Sequence, residues 1–235
     1  MINRPKEYRI VPETNRLSYE KQVFSQHGED GILEFLSSFI LDKNKNFLEI
    51  GWGRGKVNCC RNLLENLNFS GTGVDAKTPI IFHNNLKTVT QLISLDDVNF
   101  LISLEGKEPT VFSLDIDSFD WHLLKSMLVK GFLPKIICHE YNSILGPDKS
   151  ISRKCGKGIN YDKITLFGAS LPAYRKILEK NYNFVTVNAS GVNAFWIRRD
   201  VEFTRPEQYY DFKFFRIYDN GLENFLSLNE GWEYV

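Results

Sequence analysis

The chain has 235 residues, 43% of them hydrophobic and 25% charged, enough to bury one sizeable core but too short for two comfortable domains. Lysine plus arginine and aspartate plus glutamate both number 29, which removes the global basic field that nucleic-acid binders use. No apolar run approaches a membrane span, and the first residues are polar, with no apolar leader segment.

Four cysteines, Cys59, Cys60, Cys138 and Cys155, show no C-x-x-C spacing, and two are adjacent. They read as reduced thiols, which points to a cytoplasmic protein. Residues 1–235 read as one domain, with a polar arm over 1–20 and an aromatic-rich extension over 200–235.

Along the chain, strands and helices alternate. Glu29 to Leu41 carries apolar residues at helical spacing (Ile32, Leu33, Phe35, Leu36, Phe39, Ile40) and predicts a helix. The strand at 46–50 follows and runs into Glu49-Ile50-Gly51-Trp52-Gly53-Arg54-Gly55. An apolar run that ends in an acid and then in alternate glycines hands a buried parallel strand to a helix through a loop that a ligand can approach closely. A dinucleotide fingerprint would read G-x-G-x-x-G and hold a pyrophosphate, which the Glu49 carboxylate would repel. Glu49 suits an ammonium instead, and the pattern resembles the first motif of class I S-adenosylmethionine (SAM) methyltransferases. Gly51, Gly53 and Gly55 are therefore cofactor candidates.

A helix is expected from about Asn58 to Asn66, then a strand, Gly71-Thr72-Gly73-Val74-Asp75, which places Asp75 where a carboxylate reaches ribose hydroxyls. A weaker strand near Thr88–Leu92 and a helix from Asp96 to Leu104, capped by Asp96 or Asp97, come next. Thr110 to Asp117 runs apolar into acids, and Trp121 to Lys130 predicts a helix closed by Gly131. Lys135 to Tyr141 makes the fifth strand, and Ser170 to Lys180 a further helix. The runs 184–187 and 192–197 flank Ser190-Gly191 as a hairpin. The predicted fold is α/β: a Rossmann-like seven-stranded methyltransferase sheet, parallel with a terminal antiparallel hairpin, with ligands at the carboxyl ends of its strands.

Several phrases match a narrower group. Ser25-Gln26-His27-Gly28-Glu29-Asp30-Gly31, Leu114-Asp115-Ile116-Asp117-Ser118-Phe119-Asp120-Trp121, His139-Glu140-Tyr141-Asn142, Phe167-Gly168-Ala169-Ser170-Leu171 and Gly191-Val192-Asn193-Ala194-Phe195 resemble, in that order, FkbM-like SAM-dependent methyltransferases. The resemblance covers roughly residues 22 to 200. It implies SAM as cofactor, O-methylation of a small molecule, commonly a sugar, and a place in glycan biosynthesis. Two departures stand out: Ser118 replaces the glycine usual after the fourth strand, and Trp52-Gly53-Arg54 is an unusual filling of the first loop.

Methyl transfer to a hydroxyl needs alignment of donor and acceptor and removal of a proton, by a base or with a cation that lowers the hydroxyl pKa. Asp117, His139 and Glu140 are the catalytic candidates. His139 offers an imidazole beside a carboxylate, although neighbours on a strand face opposite sides. Asp117, Glu140 and Asn142 supply hard oxygen ligands for Mg²⁺ or another divalent cation. Asp120 reads as a helix cap, and His27 is placed to fold over the site. Gln26, Asn58, Asp97 and Asp115 complete the cofactor candidates.

The stretch 146–162 carries Lys149, Arg153, Lys154 and Lys157, with Lys163 beyond, and predicts a cationic loop for an anionic or nucleotide-linked acceptor. Arg153, Lys154, Tyr141 and Asn142 are its substrate-binding candidates. The aromatic tail is expected to cover the sheet or to join two copies in a homodimer. The expected partner is a small-molecule or glycan substrate, without nucleic acid. A methyltransferase acting on a non-carbohydrate acceptor and a Rossmann-like oxidoreductase remain the alternatives.

Overall fold

The computed structural model of the protein describes residues 16–43, 45–80, 83–155, 167–214, 226 and 231–235. Strands β1 (Asn46–Ile50), β2 (Ser70–Asp75), β3 (Leu86–Thr90), β4 (Val111–Leu114) and β5 (Ile136–Glu140) alternate with helices α1 (Glu29–Ser37), α2 (Arg61–Asn66), α3 (Val98–Glu105) and α4 (Asp120–Val129). Beyond them lie β6 (Ile151–Arg153), α5 (Leu171–Leu178), β7 (Tyr182–Val187), β8 (Asn193–Arg198) and β9 (Trp232–Tyr234). Seven strands form one sheet in the order β3-β2-β1-β4-β5-β8-β7, and β6 pairs with β9 apart from it. β1 to β5 are mutually parallel, whereas β8 runs antiparallel to both β5 and β7. This is the Rossmann-like methyltransferase plan that the pattern of elements predicts.

The central strands are apolar without a break because both faces of the sheet are covered. Phe47, Val111, Ile136 and Cys138 pack on one face with Ile32 and Leu33 of α1 and Leu63 and Leu64 of α2. Leu48, Ile50, Phe112, Leu114 and Ile137 pack on the other with residues of α3, α4 and α5. Alternation along each strand thus divides the core between two layers of helices. Trp52 explains the unusual first loop: its ring is buried and stacks on Phe47 at 5.9 Å between centroids. A Cβ at Gly71 would come within 2.6 Å of the Phe47 ring, and one at Gly73 within 2.5 Å of Trp52, so the glycines of β2 make room for both rings.

Helix ends depart from the sequence expectations where polar residues cap them. α1 stops at Ser37 rather than Leu41, yet Ile40 stays buried against the same core. Asp120 was expected to cap α4 but is its first residue, and it accepts from Ile116 N (2.8 Å) and Ser118 N (2.9 Å), so it orders the turn that leads into the helix. α3 is preceded by a 3₁₀ turn, Leu95–Asp97, whose capping box joins Ser94 and Asp97. In the tail, Tyr210, Phe212 and Val235 pack on the core, and Phe203 meets Phe39 edge to face, so these residues cover the sheet. Phe215, Tyr218 and Phe225 lie outside the described residues. No helix among the described residues is long and apolar enough to cross a membrane.

Candidate active site

A cleft of about 380 Å³ opens at the carboxyl ends of β1, β4 and β5. Its walls come mainly from five places in the sequence: the glycine loop, the acids after β4, the end of β5, and two segments that meet over it, Gln26–Glu29 and Gly191–Asn193.

The glycine loop begins as an extension of the sheet, with Gly51 N (2.9 Å) and Trp52 N (3.1 Å) both donating to Val74 O. Gly51 lines the cleft at φ 94°, and a Cβ there would fall 1.6 Å from the Asp115 carbonyl oxygen. Only glycine allows the ends of β1 and β4 to meet so closely. Glu49 is buried and accepts from Cys59 N (3.0 Å) and Cys60 N (2.8 Å); burial outweighs these bonds and pushes its carboxyl up to about 7. Asn58, also buried, lines the cleft beside it.

Other cofactor candidates shape the loop without lining the cleft. Asp75 accepts from Gly53 N (2.9 Å) and Lys77 N (2.7 Å), so it orders the loop from β2. Gly53 (φ 61°) and Gly55 (φ 85°) supply the turn. Asp97 lies away from the cleft, with its carboxylate spent on Ser94 and Gln91, and the expectation of a direct cofactor contact from it is corrected to a capping role.

Next to the glycine loop stands an acidic wall. Asp115, Asp117 and Glu140 each bring a carboxylate oxygen within 4.8 Å of the others. Burial, then Asp117, Asp120, Glu29 and Glu49, hold the Asp115 carboxyl well above the usual range; burial also raises Asp117, which Lys77 partly offsets. Asp117 sits at φ 54°, in the left-handed region where the family-like phrase has its glycine one residue later. Asn142 belongs to a different arrangement: its Oδ1 accepts from Ile144 N (3.1 Å) and its Nδ2 donates to Phe167 O (3.1 Å). The acidic cluster therefore contains Asp115 where Asn142 was expected. Tyr141 is a lining residue of the cleft, its ring packed on Phe212 and its hydroxyl donating to Lys213 O (2.6 Å).

His139 is not at the cleft. It is wholly buried and stacked on Tyr174 at 3.7 Å; its Nε2 accepts from Trp196 Nε1 (3.0 Å), and its Nδ1 donates to Glu140 O (2.9 Å). Burial lowers its pKa to about 4, and a neutral ring with both nitrogens engaged has no capacity to serve as the base. The cationic loop is also corrected. Arg153 is buried in β6 with Nη1 donating to Ser118 Oγ (3.2 Å), and Lys154 is exposed with its N–H on Gly231 O (2.6 Å); neither lines the cleft. Lys157 and Lys163 lie outside the described residues. The described lining contains no lysine or arginine.

Sequence reasoning did not single out Glu29. Its carboxylate accepts from His27 N (2.8 Å), Asn188 Nδ2 (3.0 Å) and Asn193 Nδ2 (2.5 Å), joining the N-terminal segment to the β7–β8 hairpin. His27 thereby lines the cleft, and burial lowers its pKa despite Glu29. The signal was present in the 25–31 and 191–195 phrases, whose shared partner only the fold reveals.

A SAM-sized ligand is compatible with these walls: the cleft holds about 380 Å³, and Asn58 Oδ1 is a buried acceptor on it with no partner among the described residues.

No family model matches the chain, and no curated protein matches it significantly. Solved structures do. An O-methyltransferase family protein from Burkholderia thailandensis is 8% identical over 74% of this chain and 60% of its own, with a TM-score of 0.41. A Plasmodium falciparum protein described as a ribosomal RNA methyltransferase is 11% identical over 74% of this chain and 97% of its own, TM-score 0.41. A Nostoc punctiforme protein described as an O-methyltransferase is 10% identical over 72% and 56%, TM-score 0.40. The chain thus spans less than two thirds of the length of the Burkholderia and Nostoc proteins.

Proposed function

We propose that this chain is a SAM-dependent methyltransferase that O-methylates a sugar hydroxyl of a glycan or of a sugar precursor. The observation that carries the reading is the convergence, in one cleft at the carboxyl ends of a parallel sheet closed by an antiparallel hairpin, of the Glu49–Gly51 loop and the Asp115, Asp117, Glu140 wall. When bound, SAM supplies an electrophilic methyl group on a sulfonium.

The residues of this chain bind, orient and deprotonate. Glu49, Gly51 and Asn58 form the cofactor side, with Asp75 holding the loop in shape. Asp117, raised above the ordinary carboxyl value and open to the cleft, takes the hydroxyl proton on its carboxylate. Asp115 and Glu140 accept hydrogen bonds from neighbouring hydroxyls. Five acidic residues and no lysine or arginine among the described lining favour a polyhydroxylated acceptor without phosphate, because the lining offers an anion acceptors and no cation. A divalent cation held by Asp115, Asp117 and Glu140 is the other way to lower the hydroxyl pKa.

Labelled methyl transfer from SAM to matched panels of neutral and phosphorylated sugars tests the reading. Transfer to neutral sugars, lost by about 10² or more in Asp117→Asn with SAM binding retained, is the expected result. Thermal stabilisation by NAD(P) but not by SAM would overturn it. Full activity in EDTA would exclude the cation, and activity that Mg²⁺ restores would install it.

A further inference from the structure

Asn58 is 4% exposed and lines the cleft directly after the glycine loop. Its Nδ2 donates to the Trp52 carbonyl oxygen. That contact fixes the orientation of the amide, since an oxygen turned to face a carbonyl oxygen would only repel it. Oδ1 therefore sits on the remaining side, buried, with no hydrogen-bond partner among the described residues. A buried acceptor without a donor is costly and uncommon, which points to a donor delivered by a ligand.

The surroundings select the donor. The next residue, Cys59, donates its N–H to Glu49 Oε1, so the Asn58 amide and the Glu49 carboxylate line the same end of the cleft. Each Glu49 oxygen takes one backbone N–H and keeps acceptor capacity. With no lysine or arginine in the described lining, this end offers acceptors and negative charge together. A neutral hydroxyl or amide would satisfy Asn58 but give the buried Glu49 carboxylate no charge partner to hold it ionised. An ammonium, with three N–H donors and a positive charge, satisfies both.

We infer that Asn58 is a specificity-determining residue for the cofactor, its Oδ1 receiving the α-ammonium of the amino-acid arm while Glu49 supplies the opposing charge. The inference rests on the methyltransferase reading. It explains why an amide that follows the loop is buried with only its nitrogen engaged. It also means that selection between SAM-type ligands and adenosine derivatives without an amino group is made at a side chain and not by the glycines.

Calorimetry on the full chain tests this with two probes, S-adenosylhomocysteine, which carries the ammonium, and 5′-methylthioadenosine, which does not. Asn58→Ala is expected to weaken S-adenosylhomocysteine about tenfold or more, the scale of one hydrogen bond to a charged group, while methylthioadenosine binds as to the parent. Equal losses for both probes in Asn58→Ala would mean a damaged loop and overturn the inference, as would no loss for either. If the parent chain binds neither probe, the methyltransferase reading itself falls and takes the inference with it; binding by the parent with an indifferent Asn58→Ala sinks the inference alone.

Discussion

Replacing Asp117 by asparagine is expected to stabilise the protein while it removes the proposed base. The three carboxylates of the acidic wall approach within 4.8 Å, a separation at which two unit charges repel by about 0.9 kcal/mol in water and about 3.5 kcal/mol at an effective dielectric of ~20. Asp117 is open to solvent, so the lower figure applies to each pair. Asp115 and Glu140 both come within that distance of Asp117, so removing its charge relieves at least one like-charge contact, a gain of about 1 kcal/mol for the variant. For a chain of this length that is a rise in Tm of about 2–4 °C. Asparagine tolerates the φ of 54° as aspartate does, so no backbone cost enters. The sign follows from linkage: a carboxyl raised in the folded state above its ordinary 3.8 costs stability once ionised, and that cost is absent below the unfolded pKa. Thermal melts of parent and variant should therefore differ most at about pH 8, converge toward about pH 4, and draw together in high salt. A variant that melts lower than the parent, or a gain independent of pH and salt, would refute the reasoning.

Gly51→Ala places a Cβ 1.6 Å from the Asp115 carbonyl oxygen at φ 94°, and should cost about 3 kcal/mol or more in denaturant unfolding and abolish SAM binding by calorimetry. His139→Leu leaves the Trp196 indole N–H without its acceptor and should lower stability by about 1–3 kcal/mol, while the pH profile of methyl transfer stays that of the parent; a shifted profile would restore His139 as the base. Arg153→Ala should lower Tm without raising the KM of a phosphorylated acceptor relative to a neutral one, and a selective rise would return the acceptor contact to it.

The sheet was legible because its information is local. Apart from β3, each parallel strand is a short buried run with an acid at or just past its end, and Glu49, Asp115 and Glu140 fall at one end of the sheet whatever the helices do. The helix over 29–41 was read too long because Phe39 and Ile40 continue the apolar stripe into the core after the helix has stopped. β6 and β9 escaped notice because three-residue strands that pair across about 80 residues carry no periodic signal.

Side-chain roles were less legible than positions. His139 and Glu140 are neighbours in sequence, but strand alternation sends the imidazole to Tyr174 and Trp196 and leaves the carboxylate at the cleft. Asp97 and Arg153 have the chemistry of site residues and spend it on a cap and a buried bond to Ser118, while Asn142 lines the cleft but commits its amide to a 3₁₀ turn and to Phe167 O. Nothing in their sequence context separates the two uses, because both require the same polar atoms.

The Glu29 bonds to Asn188 and Asn193 join residues 159 and 164 positions apart. Closing loops of that size is entropically late, and during vectorial synthesis the hairpin emerges only after all five parallel strands. A nascent chain can therefore assemble the central sheet and the glycine loop while His27 and Gln26 still lack their anchor. Ligand binding in the cleft is then unavailable to assist the early steps of folding, and a ribosome-bound chain stalled before Asn188 should be compact yet unable to retain a ligand that the full chain holds.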